Sequence, residues 1–124
     1  MDMIVGTLRI FPPPSRRDDV LEVLRSIQGP VMAQPGCEAL HIYEEQGSEE
    51  AVVLVEQWKS KPALEAHLRS EAYRRILGAI ELSGGAPDIR FDFVSSSEGM
   101  DLVERSRRLV SHPGRNSKEE GDES

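Results

Sequence analysis

A chain of 124 residues with 38% hydrophobic and 30% charged residues reads as one soluble domain with room for a tail. Its formal net charge of −7 speaks against nucleic-acid binding, which needs a clustered basic face, and against an anionic membrane surface. The longest apolar run, Ala51 to Val55, is far short of the roughly 20 residues that span a bilayer. The N-terminus shows no charged region leading into a long apolar core. Cys37 is alone, so no internal disulfide can form and a cytoplasmic, reducing setting is expected. Entering a strand from Pro35-Gly36, Cys37 is expected to pack as a small hydrophobe.

In chain order, Met3 to Phe11 alternates, with Ile4, Leu8 and Ile10 against Val5, Thr7, Arg9 and Phe11, which predicts a strand with one apolar face. Pro12-Pro13-Pro14 ends it, because proline cannot continue the ladder. Ser15 is an N-cap candidate, with Asp18 and Asp19 near the positive helix end. Val20, Leu24, Ile27 and Val31 then repeat at helical spacing, so residues 16–33 form an amphipathic helix, with Pro30 disturbing its last turn. Pro35-Gly36 is a turn. Ala39 to Glu45 alternates as a second strand, Gln46-Gly47-Ser48 makes a hairpin loop, and Ala51 to Trp58 is the third strand. Ser60 caps one long helix with Pro62 in its first turn. Leu64, Leu68, Ala72, Ile76 and Ala79 line one side of that helix, and Tyr73, Leu77 and Ile80 another. Gly84-Gly85 and Pro87 end it, and Ile89, Phe91 and Phe93 mark a fourth strand.

The order βαββαβ is the split βαβ arrangement of a ferredoxin-like α+β domain. Two helices cover one face of a four-stranded antiparallel sheet. The other face is partly apolar, so a homodimer packed sheet to sheet is expected, with a bare monomer as the competing arrangement. The domain covers residues 1–95. Residues 96–111 form a linker and short helix, in which Met100, Val103, Arg107 and Val110 keep rough helical spacing. After His112-Pro113-Gly114 no apolar side chain follows, and residues 112–124 are predicted to be disordered.

No Gly-rich phosphate loop, GxSxG, HExxH or CxxC occurs. His41, His67 and His112 lack metal-ligand spacing. The acidic pairs Glu44-Glu45 and Glu49-Glu50 read as solvated charge, and so does the basic cluster Arg105, Arg107 and Arg108. A dinucleotide or metal enzyme is not expected. Oxidation without a cofactor is left open.

One stretch stands apart. Glu56-Gln57-Trp58-Lys59-Ser60, running into Ala63-Leu64-Glu65-Ala66-His67-Leu68, puts an indole at a strand end and an imidazole two turns into the next helix. Together with the Pro35-Gly36-Cys37 approach to strand two and the order of elements, it resembles the antibiotic biosynthesis monooxygenase family over about residues 3–95. Within that family it is most similar to the bacterial quinol monooxygenases. The resemblance implies a dimeric α+β barrel with a pocket between sheet and helices in each subunit. It also implies the family's range of roles: cofactor-free oxidation of quinols and polycyclic phenols, haem degradation, or no known activity. Thr7, His67 and Leu77 stand where the haem degraders carry Asn, Trp and His, so the proximal iron ligand is missing and no cofactor is implied. Trp58 matches the tryptophan of the polyketide-oxidising members, whereas Leu54 and Leu64 stand where those carry Asn and Tyr.

The implied activity is oxidation of a quinol or phenolic small molecule by O₂. A phenol must first lose a proton, and histidine is the side chain whose unperturbed pKa suits that task. His67 is therefore the candidate base. Trp58 and Tyr43 are candidate ring-walling aromatics, and Arg9 (or Arg90) a candidate anion partner. His41 is either a pocket residue or an interface residue on the sheet. Each has a plainer role: Trp58 as a strand-end core anchor, His67 as a packing histidine. Two further readings stay open. One is a non-catalytic or stress-response barrel that captures a small hydrophobic molecule; the other is an assembly module that uses its tail as the contact.

Overall fold

In strand β1 (Met3–Ile10) buried and half-buried side chains alternate without a break, the period-two signature of a strand between a core and a second environment. Ile4, Gly6, Leu8 and Ile10 face the helices; Val5, Thr7 and Arg9 face the other way. The computed structural model describes residues 3–47 and 49–111. Ser48, His112 and the predicted disordered tail over 112–124 lie outside the described residues.

Strands β2 (Cys37–Glu44), β3 (Val52–Trp58) and β4 (Asp88–Val94) complete one antiparallel sheet in the order β2-β3-β1-β4. This is the ferredoxin-like α+β fold. β1 lies centrally, pairing Gly6 with Glu56 on one side and with Phe91 on the other. A shift in register between Cys37 and Ala39 sets Cys37 opposite Trp58.

After a 3₁₀ turn at Pro14–Arg16, helix α1 (Arg17–Met32) buries Val20, Leu21, Leu24, Ile27 and Val31 against the sheet. Ser15 falls inside that turn, and no side chain caps α1. Asp18 and Asp19 sit in its first turn, where the helix dipole favours negative charge. Each fully buried aliphatic side chain of this set contributes about 1.5–3 kcal/mol of burial free energy.

The single long helix predicted after Ser60 is two: α2 (Lys61–Leu68) and α3 (Glu71–Ser83). The break has a local cause. Ser70 is extended, with ψ 165°; its hydroxyl accepts from the Tyr73 N–H at 3.2 Å and donates to the His67 carbonyl at 2.7 Å. One serine thus closes α2 and starts α3, a use of serine that competes with helix continuation. α2 then turns Leu64 and His67 inward, and α3 buries Ala72, Ile76 and Ala79.

Among the described residues, nothing covers the outer face of the sheet. Tyr43 there is 52% exposed. Helix α4 (Met100–Ser111) follows β4, and its side chains from Met100 to Leu109 are exposed. Among the described residues, no helix is long and apolar enough to cross a membrane.

Candidate active site

Strand parity puts Glu56 on the buried face of β3, between Leu54 and Trp58. A carboxylate there is costly unless it is hydrogen-bonded and paired, and Glu56 is both. The indole Nε1–H of Trp58 donates to Glu56 Oε1 at 2.8 Å. His67 Nε2 lies 3.2 Å from Oε1 and 3.3 Å from Oε2 of the same carboxylate. On the far side of the imidazole, Nδ1 is 2.9 Å from Oε1 of Gln34. The Trp58 and His67 rings stack at 4.6 Å between centroids, and the Tyr73 ring meets His67 edge-on at 5.3 Å. Trp58 and His67 are 0% and 1% exposed.

This arrangement limits where the protons can sit. Gln34 Oε1 is an acceptor, so Nδ1 of His67 donates to it. Nε2 then either carries a second proton toward Glu56 or accepts one from it. In both forms the Glu56–His67 pair is neutral as a whole, which limits the penalty of burial. Burial, and then the negative charge of Glu56, push the Tyr73 phenol above its ordinary range. It therefore stays protonated at neutral pH.

Four elements hold the cluster. Gln34 comes from the turn after α1, which is tied by Gln34 N–H to Val31 O at 2.9 Å and Cys37 N–H to Gln34 O at 3.1 Å. Gly36 adopts φ +84°, and its carbonyl accepts from Lys59 N–H at 2.8 Å, so the turn and the end of β3 move together. Ser60 caps α2 by accepting from the Ala63 N–H at 3.3 Å, which sets the helix phase that turns His67 inward.

Two hollows flank the cluster. The inner cleft, between sheet and helices, is lined by Gly6, Leu8, Glu56, Tyr73, Ile76 and Phe91 among others, and encloses about 270 Å³ counting its open mouth. Only about 10 Å³ of it admits the centre of a water molecule, so a ring can enter only if Phe91 or Ile89 swings aside. Both stand on the edge strand β4, and Ile89 is already 44% exposed. The outer groove is larger, about 930 Å³ counting its open mouth, of which about 550 Å³ admits the centre of a water molecule; it is lined by Gln34, Lys59, Ser60, Ala63, His67 and Ser70. Chemistry favours the inner cleft despite its size: it alone joins apolar walls to a buried carboxylate.

The sequence candidates divide by strand parity. Trp58 and His67 come together in direct stacking contact. His41, Tyr43 and Arg9 do not join them. Leu40 and Ile42 share the helix-facing register with Glu56 and Leu54, so His41 and Tyr43 project from the opposite face, 6.0 Å apart between ring centroids. Tyr43 and Trp58 therefore cannot wall the same ring within one chain. Arg9 binds Glu45 at 2.8 Å, with Glu49 and Asp88 at 3.2 and 3.1 Å; its hydrogen bond holds the Glu45 carboxyl below the usual carboxylate range. Arg90 bonds Asp92 at 3.0 Å. Glu56, Gln34 and Tyr73 are the site members that the sequence reading missed. Glu56 left a signal, a carboxylate at the parity of Leu54 and Trp58; Gln34, in a turn, left none. Among the described residues, no group of three or more His, Cys, Asp or Glu is placed to hold a metal ion.

Comparison with known proteins agrees with this architecture. A conserved protein of Methanosarcina mazei superposes with TM-score 0.68 at 20% identity, over 74% of this chain and 92% of that one. A Mycobacterium tuberculosis protein gives 0.66 at 21%, over 78% and 97%. A Nitrosomonas europaea protein provisionally named an antibiotic biosynthesis monooxygenase gives 0.69 at 15%, over 78% and 94%. At such identities these likenesses concern the fold. No curated protein matches the chain in sequence. The antibiotic biosynthesis monooxygenase profile, however, matches residues 3–79, more than half of the chain and all of the Gln34, Glu56, Trp58, His67 and Tyr73 cluster, and the chain belongs to that family.

Proposed function

We propose that this protein is a cofactor-independent monooxygenase that oxidises a quinol or phenol with O₂. The observation that carries the reading is the buried Glu56 carboxylate at the wall of an apolar cleft, backed by His67 and Trp58. A phenol whose proton is removed passes electrons to O₂ far more readily than the neutral phenol does, and general-base help is worth about 10²–10⁴ in rate. The stoichiometry closes without a cofactor: a phenol plus O₂ gives a quinone and water, the monooxygenase reaction, and a hydroquinone plus O₂ gives a quinone and hydrogen peroxide, an oxidase reaction that starts with the same loss of a proton. The base is drawn from the Glu56–His67 pair. Trp58 and Tyr73 shield that pair from water, which strengthens its electrostatics.

The reading includes a cytoplasmic homodimer in which the uncovered sheet faces pack together. Val5, Val53 and Val55 on that face, beside His41, Tyr43 and Arg9, support a partner there, which makes these last three interface residues. A monomer in sedimentation at micromolar concentration would remove this part of the reading.

The test of function is O₂ consumption with a menadiol-type hydroquinone. A saturable rate above spontaneous oxidation is expected. Saturable binding with no such rate would instead favour a non-catalytic protein that captures small hydrophobic molecules.

A further inference from the structure

We propose that Glu56 is the residue that meets the ligand's hydroxyl and takes its proton, that His67 acts as its positioning residue, and that Gly6 selects a flat hydroxylated ring. Its turnover part rests on the monooxygenase reading; its binding part does not.

The first argument is access. Glu56 lines the inner cleft and His67 does not; His67 lines the outer groove instead. Both nitrogens of His67 are committed, Nδ1 to Gln34 and Nε2 to Glu56, so neither is left to meet a substrate. The Glu56 carboxylate offers about four lone-pair directions over its two oxygens. Trp58 Nε1 and His67 Nε2 occupy those turned toward β3 and α2, which leaves a direction toward the cleft.

The second argument is charge. With His67 doubly protonated, the pair starts neutral as Glu56⁻ and His67⁺. On proton transfer the substrate O–H bond breaks, an O–H bond forms at Glu56, and the electron pair stays on the substrate oxygen. The pair becomes singly positive as the substrate becomes singly negative. The substrate anion thus replaces the carboxylate as the counter-charge of His67⁺, so the transfer leaves no buried charge without an opposite one. The other titratable groups facing Glu56 are Tyr73 from α3 and Cys37 from β2, both pushed upward, first by burial and in part by the Glu56 charge. Both remain neutral acids in the working range.

The third argument is shape. Gly6 stands directly across from Glu56 on one side and Phe91 on the other. A Cβ at Gly6 would come within 3.0 Å of the Phe91 ring and 3.9 Å of Glu56 Oε1. Any larger residue would stand between ring and carboxylate. The bare backbone lets the Phe91 ring lie close over Gly6 beside Glu56, and once Phe91 swings aside a naphthol or hydroquinone takes that place, edge-on to Glu56.

The experiment compares 1-naphthol with its methyl ether, which has the same ring and no proton to give. Binding is followed by quenching of Trp58 fluorescence, with calorimetry as a second readout. The parent is expected to bind the naphthol about tenfold or more tightly than the ether, because a hydrogen bond to a charged acceptor is stronger than one to a neutral group. Glu56→Gln, which keeps a carbonyl for Trp58 and is checked for folding by circular dichroism, should shrink that preference to about threefold or less. His67→Ala should also weaken it, and added imidazole, reaching the vacated space through the outer groove, should restore it. An effect of packing alone would not show that rescue specifically in the naphthol-to-ether ratio. Equal binding of both ligands to the parent, no binding of either, or an unchanged preference in Glu56→Gln would each overturn the proposal. In turnover, Glu56→Gln should lower the rate on menadiol about 10²–10⁴-fold and far less on a phenol already ionised at the assay pH. An equal defect on both would also overturn it. A naphthol preference in a parent that shows no O₂ consumption refutes the monooxygenase reading and leaves Glu56 as the ligand's acceptor.

Discussion

Gly36→Ala separates backbone strain from steric conflict at the turn that carries Gln34. Gly36 has φ +84°, a region where an L-residue costs roughly 1–2 kcal/mol. A Cβ there would also lie 2.5 Å from the Cβ of Ala63. Both atoms are fixed to backbone, so no rotamer change relieves the contact; the turn or α2 must move, an overpacking cost of about 1–3 kcal/mol. Together these give about 2–5 kcal/mol. Trp58, the only tryptophan and fully buried, reports urea unfolding by its fluorescence. The control is Ala63→Gly, which costs about 1 kcal/mol by helix propensity and removes the obstructing methyl. In that background Gly36→Ala should lose only the backbone share, about 1–2 kcal/mol. The double-mutant cycle should therefore show a coupling of about 1–3 kcal/mol. Additivity within about 0.5 kcal/mol, or a total cost for Gly36→Ala below about 1 kcal/mol, would refute the reasoning.

Trp58→Phe should destabilise by about 1–3 kcal/mol, since it leaves the buried Glu56 one donor short; thermal unfolding by circular dichroism measures it. Gly6→Val should leave the chain folded at a cost of about 1–3 kcal/mol from crowding Phe91, while naphthol binding in a calorimetric titration falls below detection. Tyr73 has its pKa raised from 10.0 by burial, so above pH 10 the unfolded chain binds fewer protons there than the native one. Stability should fall as pH rises past that point, and Tyr73→Phe should flatten the fall in urea titrations. Burial likewise raises the Cys37 thiol, so at pH 8 iodoacetamide should alkylate native Cys37 more slowly than free glutathione, as mass spectrometry would show.

The fold was legible because its signals are local and repeated. Alternation in Met3–Ile10, the helical repeat of Val20, Leu24, Ile27 and Val31, and the Gly and Pro breaks each report a segment's own burial pattern. The split at Ser70 was hidden for the opposite reason: the apolar repeat from Leu64 to Ala79 passes through it, while one serine hydroxyl bonded to His67 O and Tyr73 N–H ends one helix and begins the next. Outward parity at Arg9 could be read from β1. Tyr43 and Trp58 share aromatic character, which carries no information about facing.

What the sequence determined by itself was the ferredoxin-like α+β arrangement, the family, and the prominence of Trp58 and His67, because periodicity and short motifs are properties of neighbouring residues. What only the tertiary structure decided was the site. Gln34, Glu56 and His67 belong to three separate segments, and distances of 2.9 to 3.3 Å between them follow from how α1, β3 and α2 pack. Strand register then chose which carboxylate faces the cleft. On that choice rests the proposal that the carboxylate, and not the histidine tied on both sides, meets the ligand.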